Sequence, residues 1–141
     1  MKNSPLLFGV MSGTSLDGID IILINLKNKT IKIIEFLHIP YKENTKKKFL
    51  MLHSNQHSDL KKSIELSLFH AKITAIGINK ILKKFQLNAK DIKCIGYHGQ
   101  TIRHLPKSGY SIQLGNAGFL AELTNITVIS DFRNRDIHAG G

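Results

Sequence analysis

Apolar positions divide the chain into two regimes. Near the start they form three strand-length blocks, Leu6 to Met11, Ile19 to Leu26 and Ile31 to Ile39. The polar tetrapeptide Lys27-Asn28-Lys29-Thr30 joins the last two, so the blocks predict a consecutive antiparallel meander. From Leu60 to Phe85 the period changes. Ile64, Leu68, Ala71, Ala75, Ile78, Leu82 and Phe85 recur at alternating steps of four and three, which is one face of a helix. Phe69, Ile73, Ile76 and Ile81 widen that face enough to lie flat on a sheet, and Lys61, Lys62, Lys72, Lys80, Lys83 and Lys84 take the wet side. Gly77 within this helix costs about 1 kcal/mol relative to alanine and leaves room for close packing against a neighbour.

Shorter elements fill the remainder. Asn44-Thr45 can cap a helix from Lys46 to His53, and polar Ser54 to Asp59 reads as a loop. After a break at Leu87 to Lys90, Ile92 to Tyr97 reads as a strand, followed by a turn at Pro106 to Gly109 and a β-like Ser111 to Leu114. Ala117 to Leu123 reads as a short helix and Thr127 to Ser130 as a buried strand. Without an internal repeat or low-complexity linker, 141 residues fit one domain. The order β-β-β-α-β-α-β is that of an α/β ribonuclease-H-like core, the lobe found twice in actin-like ATPases and sugar kinases.

That architecture places chemistry on the first hairpin. Between its strands stand two glycines, hydroxyls and an aspartate, in the run Gly9-Val10-Met11-Ser12-Gly13-Thr14-Ser15-Leu16-Asp17-Gly18-Ile19-Asp20. Gly13 and Gly18 let the backbone bend towards an anion, and Asp17 could hold the magnesium that accompanies a nucleotide. Gly13 and Gly18 have the spacing of a Walker A loop, but Ile19-Asp20 stands where Lys-Ser/Thr is required, and no G-x-G-x-x-G occurs. A plain polar turn accounts for the same residues without a ligand. His98-Gly99-Gln100-Thr101 follow a strand, the usual ligand position in open α/β sheets.

Charge and cysteine content narrow the classes. The formal net charge is +10, but of 20 basic residues only Arg103, Arg133 and Arg135 are arginines, and no aromatic residues interleave with the cluster Lys46-Lys47-Lys48. That pattern reads as a solvated lysine surface rather than a nucleic-acid platform. The lone Cys94 leaves no disulfide framework within the chain and fits a reducing, cytoplasmic setting. No apolar run approaches the roughly 20 residues of a membrane span, and the start lacks the pattern of a signal peptide. Cys94, His98 and His104 do not match a zinc spacing.

Six blocks, in order and in register, carry a resemblance. They are Gly9 to Asp20, Gly96-Tyr97-His98-Gly99-Gln100-Thr101, Gln113-Leu114-Gly115, Ala121-Glu122-Leu123-Thr124, Asp131-Phe132-Arg133 with Arg135-Asp136, and Ala139-Gly140-Gly141. Together they resemble the anhydro-N-acetylmuramic acid kinase family. The family uses ATP and magnesium to phosphorylate 1,6-anhydro-N-acetylmuramic acid, opening the anhydro ring hydrolytically to the 6-phosphate, in murein recycling and amino-sugar catabolism. The resemblance implies that Gly13, Thr14, Ser15, Leu16, Asp17, Gly18, Ile19 and Asp20 bind ATP, with Asp17 at the Mg2+. It places His98, Gln100 and Arg133 on the sugar side. A bland role is open to each: His98 satisfied by backbone, Arg133 paired with Asp131 or Asp136 at the surface.

Members of that family run to more than twice this length and carry a Gln-Gly-Ala-Pro segment, the general-base aspartate and a second lobe beyond the Ala-Gly-Gly. Residues 1–141 are therefore expected to form an N-terminal lobe with the C-terminal lobe absent, inactive alone unless a separate C-terminal polypeptide completes the cleft. Two other outcomes stay open. One is a nucleic-acid-binding or nuclease protein on the same core, using Asp17, Asp20, Glu65 and Asp131 as metal carboxylates. The other is a folded remnant without function.

Overall fold

A computed structural model describes residues 5–53 and 59–141; the loop expected at Ser54 to Asp59 lies outside them except for Asp59. Among these residues six strands form one sheet: β1 (Leu6–Ser12), β2 (Gly18–Lys27), β3 (Thr30–Pro40), β4 (Ile92–Leu105), β5 (Tyr110–Leu114) and β6 (Val128–Ser130). The strand order is β3-β2-β1-β4-β5, with β6 also paired to β4. The first three strands are antiparallel neighbours, whereas β1–β4 and β4–β6 are parallel. An antiparallel meander whose first strand is central and continues into parallel strands is the ribonuclease-H-like arrangement expected from the element order. Asn28 and Lys29, both left-handed at φ 50 and 65, make the tight turn between β2 and β3.

Among the described residues four α-helices accompany the sheet: α1 (Glu43–His53), α2 (Leu60–Lys84), α3 (Ala117–Thr124) and α4 (Phe132–His138). One sheet face, bearing Phe8, Val10, Ile19, Ile21, Leu23, Ile95 and Tyr97, shares a core with Phe49 of α1, Ala75, Ile78 and Leu82 of α2, and Leu120 of α3. Each such aliphatic or aromatic burial is worth about 1.5–3 kcal/mol. Gly77 is where α2 meets the sheet: a Cβ there would lie 2.5 Å from Ile21 Cδ1 and 2.7 Å from Ile39 Cδ1. The close approach expected of this glycine is therefore its role. Asp59 caps α2 by accepting from the Lys62 N–H at 3.1 Å. At the other end left-handed Gln86 and the bond from Leu87 N–H to Leu82 O close a Schellman turn without glycine.

Four expectations need correction. First, β4 does not stop at Tyr97; it runs on to Leu105 because it changes partner, from β6 at Ile95–Tyr97 to β5 at Gln100–Leu105. His98 to Thr101 thus lie within a strand rather than after one. Second, the buried face of α2 is rotated at its N-terminal half. Ile64 is 53% exposed, Leu68 and Phe69 are half-exposed and Ile76 points outward, while Leu66, His70 and Thr74 are buried. Thr74 Oγ1 bonds His70 O and His70 Nδ1 bonds Tyr97 Oη, partners that hydrophobic periodicity does not register, although His70 Nε2 is buried without one among the described residues. Third, α1 begins at Glu43, so Asn44 and Thr45 belong to its first turn and do not cap it. Fourth, the strand at Thr127 to Ser130 is not buried: Ile129 is 49% exposed and Ser130 is exposed, with Val128 half-buried. The segment after Asp131 forms α4.

Candidate functional site

Ser12 ends β1 and Gly18 begins β2, leaving a five-residue loop, 13–17, at one end of the central strand. Leu16 anchors it. Its side chain is buried, its backbone is left-handed at φ 57, and its N–H donates to Gly13 O at 3.2 Å. Inserting one apolar side chain into the core pulls the middle of the loop down and turns its neighbours out, and Thr14, Ser15 and Asp17 are exposed. Both ends are fastened: Tyr41 N–H donates to Asp17 O at 3.0 Å, and Ser12 Oγ bonds Gly18 O at 2.8 Å. Pro40 stands opposite Gly18 and has no N–H to offer, which leaves the Ser12 hydroxyl as the donor within reach of that carbonyl. A Cβ on Gly18 would clash with Ile39 O and the His38 ring, so strand β3 requires glycine there.

The stretch expected to bind ATP therefore divides between an exposed loop and the buried start of β2. Gly13, Thr14, Ser15 and Asp17 are at the surface, whereas Leu16, Gly18 and Ile19 are buried. Asp20 lies on the sheet face away from α2, where its Oδ1 is 2.7 Å from His38 Nδ1. The exposed set fits a phosphate–magnesium group. It offers two hydroxyls, glycine backbone and, in Asp17, a carboxylate without an ion pair among the described residues. Magnesium commonly takes one or two carboxylates together with phosphate oxygens, so one aspartate suffices.

Of the residues expected on the sugar side, His98 borders two cavities. One, of about 300 Å3, is walled by Gly99, Ser111, Gln113, Gly115, Asp131 and Asn134 among others. The second, of about 480 Å3, lies on the open sheet face between Met11, Asp20, Phe36 and Phe132. His98 Nδ1 is 2.9 Å from Gly99 O, an atom that only accepts, so Nδ1 carries the proton and Nε2 keeps its lone pair in the neutral ring. The backbone partner foreseen for His98 is present, and its other nitrogen remains for a ligand.

Arg133 is not paired with Asp131 or Asp136; its Nη2 donates to His104 Nε2 at 3.2 Å. The tautomer this imposes runs through the β4–β5 hairpin. His104 Nδ1–H gives to Ser111 Oγ at 3.2 Å, and Ser111 Oγ–H to Arg103 O at 3.1 Å. Asp131, left-handed at φ 64, accepts from Asn134 Nδ2 at 2.7 Å. Gln100 does not line either cavity: it is fully buried beneath the loop, against Ser12 and Gly13. The carboxylates considered for a nuclease are not brought together. Glu65 borders a cavity between α1 and α2, Asp20 faces His38, and no group of three or more His, Cys, Asp or Glu suited to a metal occurs among the described residues.

Two groups near the loop were missed by the sequence reading. Tyr41, directly after β3, bonds Ser12 Oγ through its hydroxyl at 2.9 Å, and burial pushes its phenol up to about 12. Its signal was the hairpin register, which brings the end of β3 opposite the start of β2. His70 is buried with Nδ1 2.6 Å from Tyr97 Oη, and burial depresses its imidazole to about 3, with nearby His98 adding to the effect. A polar residue inside an amphipathic helix carries no sequence signal for such a partner.

The family model described as anhydro-N-acetylmuramic acid kinase matches residues 5–141. Proteins named anhydro-N-acetylmuramic acid kinase from Pseudomonas fluorescens and Pseudomonas syringae pv. tomato are 43% and 46% identical over 136 and 133 residues, 96% and 94% of this chain. One from Chromobacterium violaceum is 42% identical over 98% of this chain. The chain spans only 37%, 36% and 38% of these three relatives' lengths. The solved structure titled as an Aquifex aeolicus member of the Ppx/GppA family is 8% identical, with a TM-score of 0.43 over 91% of this chain and 35% of its own.

Proposed function

The chain belongs to the anhydro-N-acetylmuramic acid kinase family, and from that premise we propose that it is the N-terminal, phosphate-gripping section of such a kinase. In the complete enzyme, ATP supplies the phosphoryl group that ends on the 6-oxygen of N-acetylmuramic acid while water opens the 1,6-anhydro bond, a cytoplasmic step of murein recycling and amino-sugar catabolism. The observation that carries the reading is the loop at 13–17. It is fastened at both ends, anchored by Leu16, and presents Thr14, Ser15 and Asp17 to solvent.

In this reading the loop binds the phosphate tail, Asp17 holds the magnesium with it, and Leu16, Gly18 and Ile19 shape the loop from within the core. His98 and Arg133 face the sugar; His98 offers its Nε2 and Arg133 a guanidinium oriented by His104. Phosphoryl transfer depends on positioning and on enclosing the transferring group. The second lobe and the general-base aspartate lie in the family's remaining sequence, so residues 1–141 bind nucleotide without turning it over. A separate polypeptide carrying the rest would complete the cleft.

Calorimetric titration of the chain with ATP and magnesium tests this. Binding that Asp17→Asn weakens at least tenfold supports the reading, and a cooperatively folded chain that ignores Mg-ATP sinks it. Adding the C-terminal portion of the Pseudomonas fluorescens relative then asks whether anhydro-sugar phosphorylation appears in the mixture and in neither part alone.

A further inference from the structure

Beneath the loop lies a closed set of buried polar groups with countable protons. Ser12 Oγ is 2.9 Å from Tyr41 Oη, 2.8 Å from Gly18 O and 2.5 Å from Gln100 Oε1. Gln100 Nε2 is 2.9 Å from Gly13 O and 3.3 Å from Thr101 O. Both of those carbonyls only accept, so the amide nitrogen must face them, and Oε1 must face Ser12. Tyr41 then donates to Ser12 Oγ, and the one Ser12 proton serves either Gly18 O or Gln100 Oε1.

All three side chains are buried, so each bond replaces one that water would otherwise make. The carbonyls they hold, Gly13 O and Gly18 O, lie at the two ends of the loop. Gln100 is also opposite Ser12 in the β1–β4 ladder and two residues beyond His98. One side chain thus ties the loop to the strand that carries the cavity-lining histidine.

We propose that Gln100, with Ser12 and Tyr41, is a positioning unit that holds the loop at 13–17 in its anion-receiving shape, and that Gln100 acts through Gly13 rather than by touching a sugar. The proposal rests on the nucleotide reading above for the purpose of the loop, but not for the hydrogen bonds that shape it. Gln100→Leu removes the bonds to Gly13 O and Ser12 while keeping an apolar volume, and Tyr41→Phe removes one oxygen.

The test is amide hydrogen exchange on the full chain, paired with Mg-ATP titration. The Leu16 N–H, bonded to Gly13 O, and the Tyr41 N–H, bonded to Asp17 O, report on the loop, and those of Ile21 and Leu23 report on the core. In Gln100→Leu and Tyr41→Phe the amides of residues 16 and 41 should exchange about tenfold faster with the core amides unchanged, and Mg-ATP affinity should fall about five- to tenfold. A merely structural role would speed loop and core exchange together. That result, or loop exchange unchanged in both variants, overturns the proposal. Wild-type chain that fails to bind Mg-ATP while loop exchange responds locally overturns the nucleotide reading and leaves the positioning unit standing.

Discussion

The two faces of the sheet are both apolar, yet they are finished differently. Towards α2 the strands bury Ile19, Ile21, Leu23 and Ile95 completely, and Ser12 contacts Gln100 and His70 Nδ1 contacts Tyr97 there, while His70 Nε2 is buried without a partner among the described residues. On the other face Met11 is 48% exposed and Phe36 57%, and Gly9 and Gly96 lie abreast on β1 and β4 with no side chains between their neighbours. The β2 run Ile21-Ile22-Leu23-Ile24 is hydrophobic in both directions, the pattern of strands covered on two sides. Asp20 and His98 sit on the open face, whereas the groups that shape the loop sit on the closed one. Packing is thus concentrated on one side of the strands, and the other side is left open beside Asp20 and His98.

Truncation on each side should separate them most sharply. Ile21→Ala leaves a cavity under Gly77 of α2 and should cost about 2–5 kcal/mol by urea unfolding, the range for large-to-small changes in a packed core. Phe36→Ala on the open face should cost about 1 kcal/mol or less, because its ring is already largely in water. Equal losses would mean that the open face is packed in solution.

Acid acts on the closed face first. The His70 imidazole is depressed to about 3 in the folded chain, chiefly by burial, against an ordinary value near 6.5. The unfolded chain therefore takes up a proton that the folded chain refuses. Stability is full above pH 6.5 and falls by about 1.4 kcal/mol per unit as pH drops from there towards 3. Wild type should lose about 2 kcal/mol between pH 6.5 and pH 5 from this residue, and His70→Leu should flatten that part of the profile. The substitution also removes the bond to Tyr97 Oη, so the slope with pH, and not the stability at pH 7, is the measurement that decides.

The division between faces was partly legible in the sequence. The meander, the long helix and the placing of the loop followed from apolar period and turn residues, which are local signals. Local signals also explain why Gly77 could be singled out: a glycine in a helix is conspicuous. The extension of β4 to Leu105 was not legible, since it arises from exchanging one partner strand for another. Nor was the place of Gln100, which faces Ser12 and Gly13 across 88 and 87 residues of chain. Its neighbours suggested an exposed ligand contact, and only the β1–β4 register turns it under the loop. Half of the long helix was misoriented for a related reason: polar His70 and Thr74 are buried there, with partners in Tyr97 and in His70 O that the periodicity cannot show.

The smallest effect belongs to the open face itself. Met11, Phe36 and Phe132 border one apolar cavity there, so it should bind an environment-sensitive hydrophobic dye in the folded state. Met11→Ser with Phe36→Ser should cut dye fluorescence several-fold at pH 7 while shifting the urea midpoint little, because neither side chain loses much burial on being shortened. The paired control, Leu23→Ser on the same strand system but on the closed face, should do the opposite, raising dye binding by loosening the core. If the open-face double variant instead left dye binding unchanged, the face would be covered in solution, and the contrast between the two sides would be one of packing partner rather than of exposure.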